Sequence, residues 1–227
     1  MRVGIFGASG VIGSRVAAEA AGRGHQVTGF TRDASRVPRD EAAIQWQVAD
    51  VLDAASVARC LAGIDVVVNA INTGRDIPET IANADVLPSA ADALLTALRE
   101  YPAVRLIVVG GAGSLEVRPG QQIVDIDGFA EGLPDTLGVP PEYVRVVRAH
   151  REALNRYRTS NRKWTYLSPS AGLITPGERT GRFRVGGDQL LVTADGTSAI
   201  SAEDLAVAIL DEVESPRFVQ RRFTVGY

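Results

Sequence analysis

Lysine is nearly absent. Among 227 residues there are 24 basic side chains, and Lys163 is the only one that is not arginine. Chemistry that depends on a lysine therefore has a single residue to draw on. Cys60 is the sole cysteine, which excludes an internal disulfide and a multi-cysteine zinc cluster. His25 and His150 are the only histidines, too few for a His-rich centre, so no metal is expected. No apolar run approaches the roughly 18–20 residues that cross a bilayer. The opening Met1–Gly7 is too short and too glycine-interrupted for a secretory leader. A net charge of −3 gives no broad attraction for nucleic acid or an anionic membrane. What remains is the expectation of a cytoplasmic protein with a small-molecule partner, working without membrane or nucleic acid, as a monomer or homodimer.

What is present is core-forming material. Hydrophobic residues make up 45% of the chain, too many for disorder. The length suits one compact domain over residues 1–227. Short apolar runs alternate with longer Ala-rich or amphipathic stretches. They predict strands at Arg2–Phe6, Gln26–Phe30, Ile44–Val48, Ile64–Val68, Val104–Val109 and Trp164–Leu167. Between them helices are expected at Val11–Ala21, from an Asp53 cap to Leu61, within Pro78–Tyr101, and over Pro141–Thr159. Continuous apolar strands alternating with helices predict a parallel sheet covered on both faces, the doubly wound α/β (Rossmann) class. The last third breaks this rhythm, with a strand at Gln189–Thr193, a turn at Asp195-Gly196, a capped helix at Ser201–Glu214 and a final strand at Arg222–Tyr227. Residues 110–140 and 169–200 read as a small substrate-side extension of the same domain.

In a doubly wound sheet, ligands bind beyond the carboxyl ends of the strands. Gly7-Ala8-Ser9-Gly10-Val11-Ile12-Gly13 lies between the first strand and the first helix. There Gly7 permits the tight turn, Gly10 lets backbone approach a pyrophosphate, and Gly13 allows close helix packing. The N–H groups of the helix start then receive the anion. The second strand runs into Thr31-Arg32-Asp33, with Arg32 where an NAD site usually has an acid and Arg36 one helical turn on. Two guanidinium forks match the oxygens of a 2′-phosphate, which favours NADP(H) over NAD(H). Solvated surface arginines, or Asp33 on a ribose hydroxyl, are the readings that compete. Asp50-Val51 after the third strand and Asn69-Ala70 after the fourth complete the nucleotide side: an acid for the adenine amino group, and small residues beside the cofactor. Ser168-Pro169-Ser170 follows the sixth strand, where its backbone can line the nicotinamide.

These segments resemble the atypical short-chain dehydrogenase/reductases. Val108-Val109-Gly110-Gly111-Ala112-Gly113-Ser114-Leu115, Trp164-Thr165-Tyr166-Leu167-Ser168-Pro169 and Pro176-Gly177-Glu178-Arg179-Thr180-Gly181 are similar to the NADH-flavin reductase group, related to biliverdin reductase B and the NmrA-like regulators. The resemblance covers essentially the whole chain. It implies a nicotinamide cofactor, adds Gly110 to the cofactor-lining residues, and places Ser114 where related enzymes hold a hydroxyl near the nicotinamide; a plain turn residue is the competing reading.

The resemblance stops at the usual proton donor. Typical members pair a Tyr with a Lys four residues later. Here Thr159 lies four before Lys163, and Val147 lies four after Tyr143. Tyr143 remains as the nearest helix-borne acid, with Arg145 or Arg148 as neighbours. Losing a positioned acid costs ketone reduction roughly 10²–10⁴-fold, whereas hydride arriving on a flavin or quinone spreads its charge over a conjugated ring. Reduction of such acceptors by direct hydride transfer is therefore the expected activity. A non-catalytic NADP(H) redox sensor and a nucleotide-sugar epimerase or dehydratase are the alternatives. On the substrate side, Phe129 stacks on a flat acceptor or anchors its loop. Arg179 binds an anionic group or pairs with Glu178 or Asp188. His150, mid-helix, reads as a packed or surface residue.

Overall fold

The computed structural model describes residues 1–37 and 43–227, with the Arg36 side chain outside that description. The chain opens as expected with β1 (Arg2–Phe6), α1 (Val11–Gly22), β2 (Gln26–Thr31) and β3 (Ile44–Val48). Then follow α2 (Ala54–Leu61), β4 (Val66–Asn69), α3 (Ile77–Ala82), α4 (Val86–Ala97) and β5 (Arg105–Val109). The substrate-side stretch carries β6 (Glu116–Arg118), β7 (Gln121–Gln122) and α5 (Leu133–Leu137). The chain closes with α6 (Val144–Arg158), β8 (Trp164–Ser168), β9 (Arg184–Gly186), α7 (Ala202–Glu214) and β10 (Arg221–Gly226).

Eight strands form one sheet in the order β3-β2-β1-β4-β5-β8-β10-β9, parallel except for β9. The order reverses direction between β1 and β4, so a crevice opens there at the carboxyl edge. Side-chain alternation feeds two cores. Val3, Ile5, Val66, Val68, Ile107, Leu167, Phe223 and Val225 face α1 and α7. Phe6, Val67, Leu106, Val108, Trp164 and Tyr166 face α2, α4 and α6. The central strands β1, β4, β5 and β8 are thus apolar on both sides, as a sheet buried on both faces requires, while the edge strand β3 leaves Gln45 and Gln47 exposed.

Three expectations are corrected. The helix within Pro78–Tyr101 is two: α3, capped by Asp76 on Glu79 N, ends at Asn83 before α4 begins at Val86. The strand at Gln189–Thr193 is absent: Gln189 makes one isolated bridge with Glu116, and the edge strand is β9, set against β10. Leu191 packs instead over Gly186 and Gly226. The fourth strand begins at Val66, because Ile64 N turns back to Leu61 O and Asp65 meets Arg2.

Candidate functional site

The glycine bend after β1 is built by exclusion of side chains. Gly7 has φ +79°, and a Cβ there would lie 2.4 Å from Ala70 O. A Cβ on Gly13 would lie 2.1 Å from Gly7 O. Gly10 N closes the bend on Gly7 O at 2.9 Å, and Ser14 N opens the helix on Gly10 O at 3.0 Å. Gly10 is the N-cap of α1 and no side chain caps its first N–H groups. Ser9, Gly10 and Val11 are exposed and Ile12 half-buried. A twelve-residue helix therefore presents uncapped donors and its positive dipole end to solvent. That is the arrangement a pyrophosphate needs.

The neighbouring strand ends complete this edge. Phe6 is in register with Asn69, and Ala70 N bonds Phe6 O at 3.0 Å. Asn69 is buried; its Oδ1 has no hydrogen-bond partner, while its amide lies against the Tyr157 hydroxyl. Ser168 Oγ and Ser170 Oγ, at the end of β8, are likewise buried and unpartnered. Buried polar atoms in folded proteins are rarely left so. The glycine cradle, the uncapped helix start and these orphaned groups fit a dinucleotide carrying both charge and polar edges. Pro169 is buried between the two serines.

After β2, Arg32 is exposed and Asp33 is held locally, its Oδ1 accepting from Ser35 N at 2.9 Å and Ser35 Oγ at 2.7 Å. Asp50 is exposed and its Oδ1 accepts from Leu52 N at 2.9 Å, while Val51 is buried. Asp53, as expected, caps α2 through Ala55 N.

The catalytic expectations change. Ser114 is buried, and its Oγ and carbonyl both accept from Arg222 Nη1, at 2.9 and 2.7 Å. The buried Arg222 in turn bonds the exposed Asp188, so the hydroxyl is committed to this arginine rather than open to a ligand. Tyr143 is half-buried against the α4/α6 core, and burial raises its pKa. Arg145, one of the two arginines expected beside it, is 3.9 Å from Asp85. Arg179 pairs with Glu19 on α1, through contacts of 2.8 Å, rather than with Glu178 or Asp188. That lies on the outer flank of α1 and α7, away from the strand ends. Phe129 is half-buried in the turn where its N–H bonds Ile126 O. Gly110 has a packing reason for its missing side chain: a Cβ would fall 1.9 Å from the Tyr166 ring. His150, read from the sequence as a packed or surface residue, is half-buried, and its ring packs beside Gly111 in the bend after β5; spacing along one helix gives no signal of that meeting.

Fold and site define a dinucleotide-binding doubly wound α/β protein. The family model for NAD(P)H-binding proteins matches residues 7–216, and the chain belongs to that family, within the atypical short-chain dehydrogenase/reductases. Among curated proteins it is 37% identical to YwnB of Bacillus subtilis, which has no described function, over 99% of this chain and 98% of that one. It is 30% identical to a 3-diazoavenalumate denitrifying reductase of Streptomyces, over 95% of this chain and 73% of the other. Among solved structures it matches a protein of Burkholderia pseudomallei called exported, at 43% identity and TM-score 0.84 over 100% of both chains. It also matches a Bacteroides thetaiotaomicron protein assigned as an epimerase, at 33% and 0.82, over 100% of this chain and 96% of the other. A Streptococcus pneumoniae protein assigned as an NADH-flavin reductase matches at 25% and 0.78, over 100% and 99% of the two chains. Among the described residues no helix is long and apolar enough to cross a membrane.

Proposed function

We propose that the protein is an NADP(H)-dependent reductase of flavin- or quinone-like acceptors. The observation that carries the reading is the pairing of a glycine cradle and uncapped helix with the lack of a lysine-assisted tyrosine: Lys163 has Thr159 four residues before it, and Tyr143 is a phenol raised by burial. A dihydronicotinamide held in this crevice supplies a hydride to a conjugated ring, and the proton that completes the reduction comes from water. The chain's own residues do the rest. The α1 amides would hold the diphosphate, Asn69 and Ala70 would bound its passage across the switch point, and Ser168–Ser170 would line the nicotinamide. With the acceptor stacked and aligned, geometry supplies most of the acceleration.

The 2′-phosphate preference is supported by exposed Arg32 and by the use of Asp33 as a local cap. The diazo-compound reductase of Streptomyces is consistent with acceptors other than simple ketones. Binding of NADP+, NADPH, NAD+ and NADH to wild type and to Arg32→Ala tests the reading. The substitution should weaken the phosphorylated pair roughly 10-fold or more, the scale of one lost charge-assisted bond, and leave the NAD pair unchanged. Equal loss for both pairs, or none, counts against the 2′-phosphate assignment. A protein that binds NADPH with redox-dependent affinity, yet does not oxidise it when flavin or quinone is supplied, would point to the sensor alternative.

A further inference from the structure

His150 sits on α6 where that helix packs over the bend after β5. A Cβ on Gly111 would lie 3.0 Å from ring atoms Cγ and Cδ2, so the glycine leaves room for the imidazole to rest against the bend. The His150 carbonyl accepts the Tyr166 hydroxyl at 2.9 Å, and the Gly111 N–H faces the same phenol oxygen. Helix, bend and β8 are thereby locked around the ring. The residue is half-buried, and neither ring nitrogen has a hydrogen-bond partner among the described residues. On either side of β5, the ends of β4 and β8 carry Asn69 Oδ1, Ser168 Oγ and Ser170 Oγ, buried and unpartnered. A polar ring at this edge would find unsatisfied groups on both flanks and an open imidazole above the strand between them.

We propose that His150 is a catalytic residue that donates a ring N–H hydrogen bond to the electron-accepting heteroatom of a conjugated acceptor. This rests on the reductase reading and adds the group that meets the acceptor. Burial pushes the imidazole down to about 4, so the ring is neutral at neutral pH. A neutral imidazole is a donor at one nitrogen and an acceptor at the other. It keeps its proton throughout. The negative charge that reaches the acceptor with the hydride is met by a fixed dipole, and water supplies the proton. The surrounding groups preserve this state. Tyr166 from β8 is held protonated by burial, Arg151 on α6 is paired with Asp125 of the facing loop, and Val147 and Gly113 are apolar.

The chain has two histidines, so protein labelled with 15N-histidine gives two imidazole signals that single substitutions assign. With NADP+ present, adding FMN should shift the His150 signals and leave those of His25 in place. His150→Leu fills the space without a donor. It should bind NADPH with wild-type affinity and lose roughly 10²-fold in kcat/KM for FMN and menadione, the loss typical of one preorganised donor. His150→Gln, which restores an N–H, should recover most of that loss. Unmoved His150 signals, or wild-type kcat/KM in His150→Leu, overturn the proposal and leave the reductase reading standing. A wild-type protein that binds NADPH yet reduces neither FMN nor menadione overturns both, and that failure shows before any substitution is made.

Discussion

Gly13 has no room for a methyl group, while Gly22 on the same helix has space around it. The Cβ that alanine would add at Gly13 meets Gly7 O at 2.1 Å, a backbone atom that cannot swing aside. At Gly22 nothing lies within 4 Å of that position. Gly13→Ala should therefore cost about 1–3 kcal/mol of overpacking and displace the cofactor cradle. Gly22→Ala should stabilise by about 0.4–1 kcal/mol, since Gly22 closes α1 with negative φ and leaves open space for a methyl group. Thermal melts of the two variants, with NADPH titrations, check the contrast; equal behaviour would mean the bend is not held as described. The cradle glycines were legible as a spacing between a strand and a helix. The packing role of Gly110 was not legible: the Tyr166 ring that excludes a side chain there lies 56 positions along the chain, and no local pattern points to it.

At the scale of elements, α1, α7 and the segment before β9 are joined by charge. Glu19 on α1 accepts from Arg179 and from Arg23, and Arg23 also reaches Asp211 and Glu214 on α7. Arg15 bonds Glu203 at the start of α7. The Arg179 guanidinium, aided by Arg23 and opposed by burial, lowers the Glu19 carboxyl to about 2. A carboxylate depressed in the folded state adds stability above its ordinary pKa, here 4.5, and that contribution fades as pH falls toward about 2. Wild type should thus lose thermal stability more steeply between pH 5 and pH 2 than Glu19→Gln; parallel curves would refute the coupling. The element errors have the same origin. The turn Asn83-Ala84-Asp85 divides α3 from α4, and Gln189–Thr193 lost its place in the sheet to Arg184–Gly186, which pairs with the β10 edge.

For the molecule as a whole, the two cores share one sheet, and a buried ion pair crosses the second half of it. Glu212 on α7 is 1% exposed; its carboxylate bonds Arg105 of β5 at 3.0 Å, Thr165 of β8, and the N–H groups of Arg217 and Phe218. Removing Glu212 strands the Arg105 charge and the N–H groups of Arg217 and Phe218; removing Arg105 strands the Glu212 charge. Glu212→Leu should cost roughly 3–5 kcal/mol, and Arg105→Leu a similar amount. Because helices on both faces pack on the same strands, unfolding of either variant should remain one cooperative transition at a lower midpoint. Two separated transitions by calorimetry would show that the faces unfold independently.

By itself the sequence determined the strand–helix alternation, the parallel sheet, the glycine bend and the lack of a lysine-assisted tyrosine. Those are local patterns, and residue chemistry within a few positions fixes them. Only the tertiary structure decided the roles of Ser114, Arg179 and His150. Arg222 takes up Ser114 from 108 positions away, Glu19 takes up Arg179 from 160, and His150 is brought to the bend after β5 by helix packing. Whether a polar side chain is spent on the fold or left for a ligand depends on partners that chain-distant elements deliver.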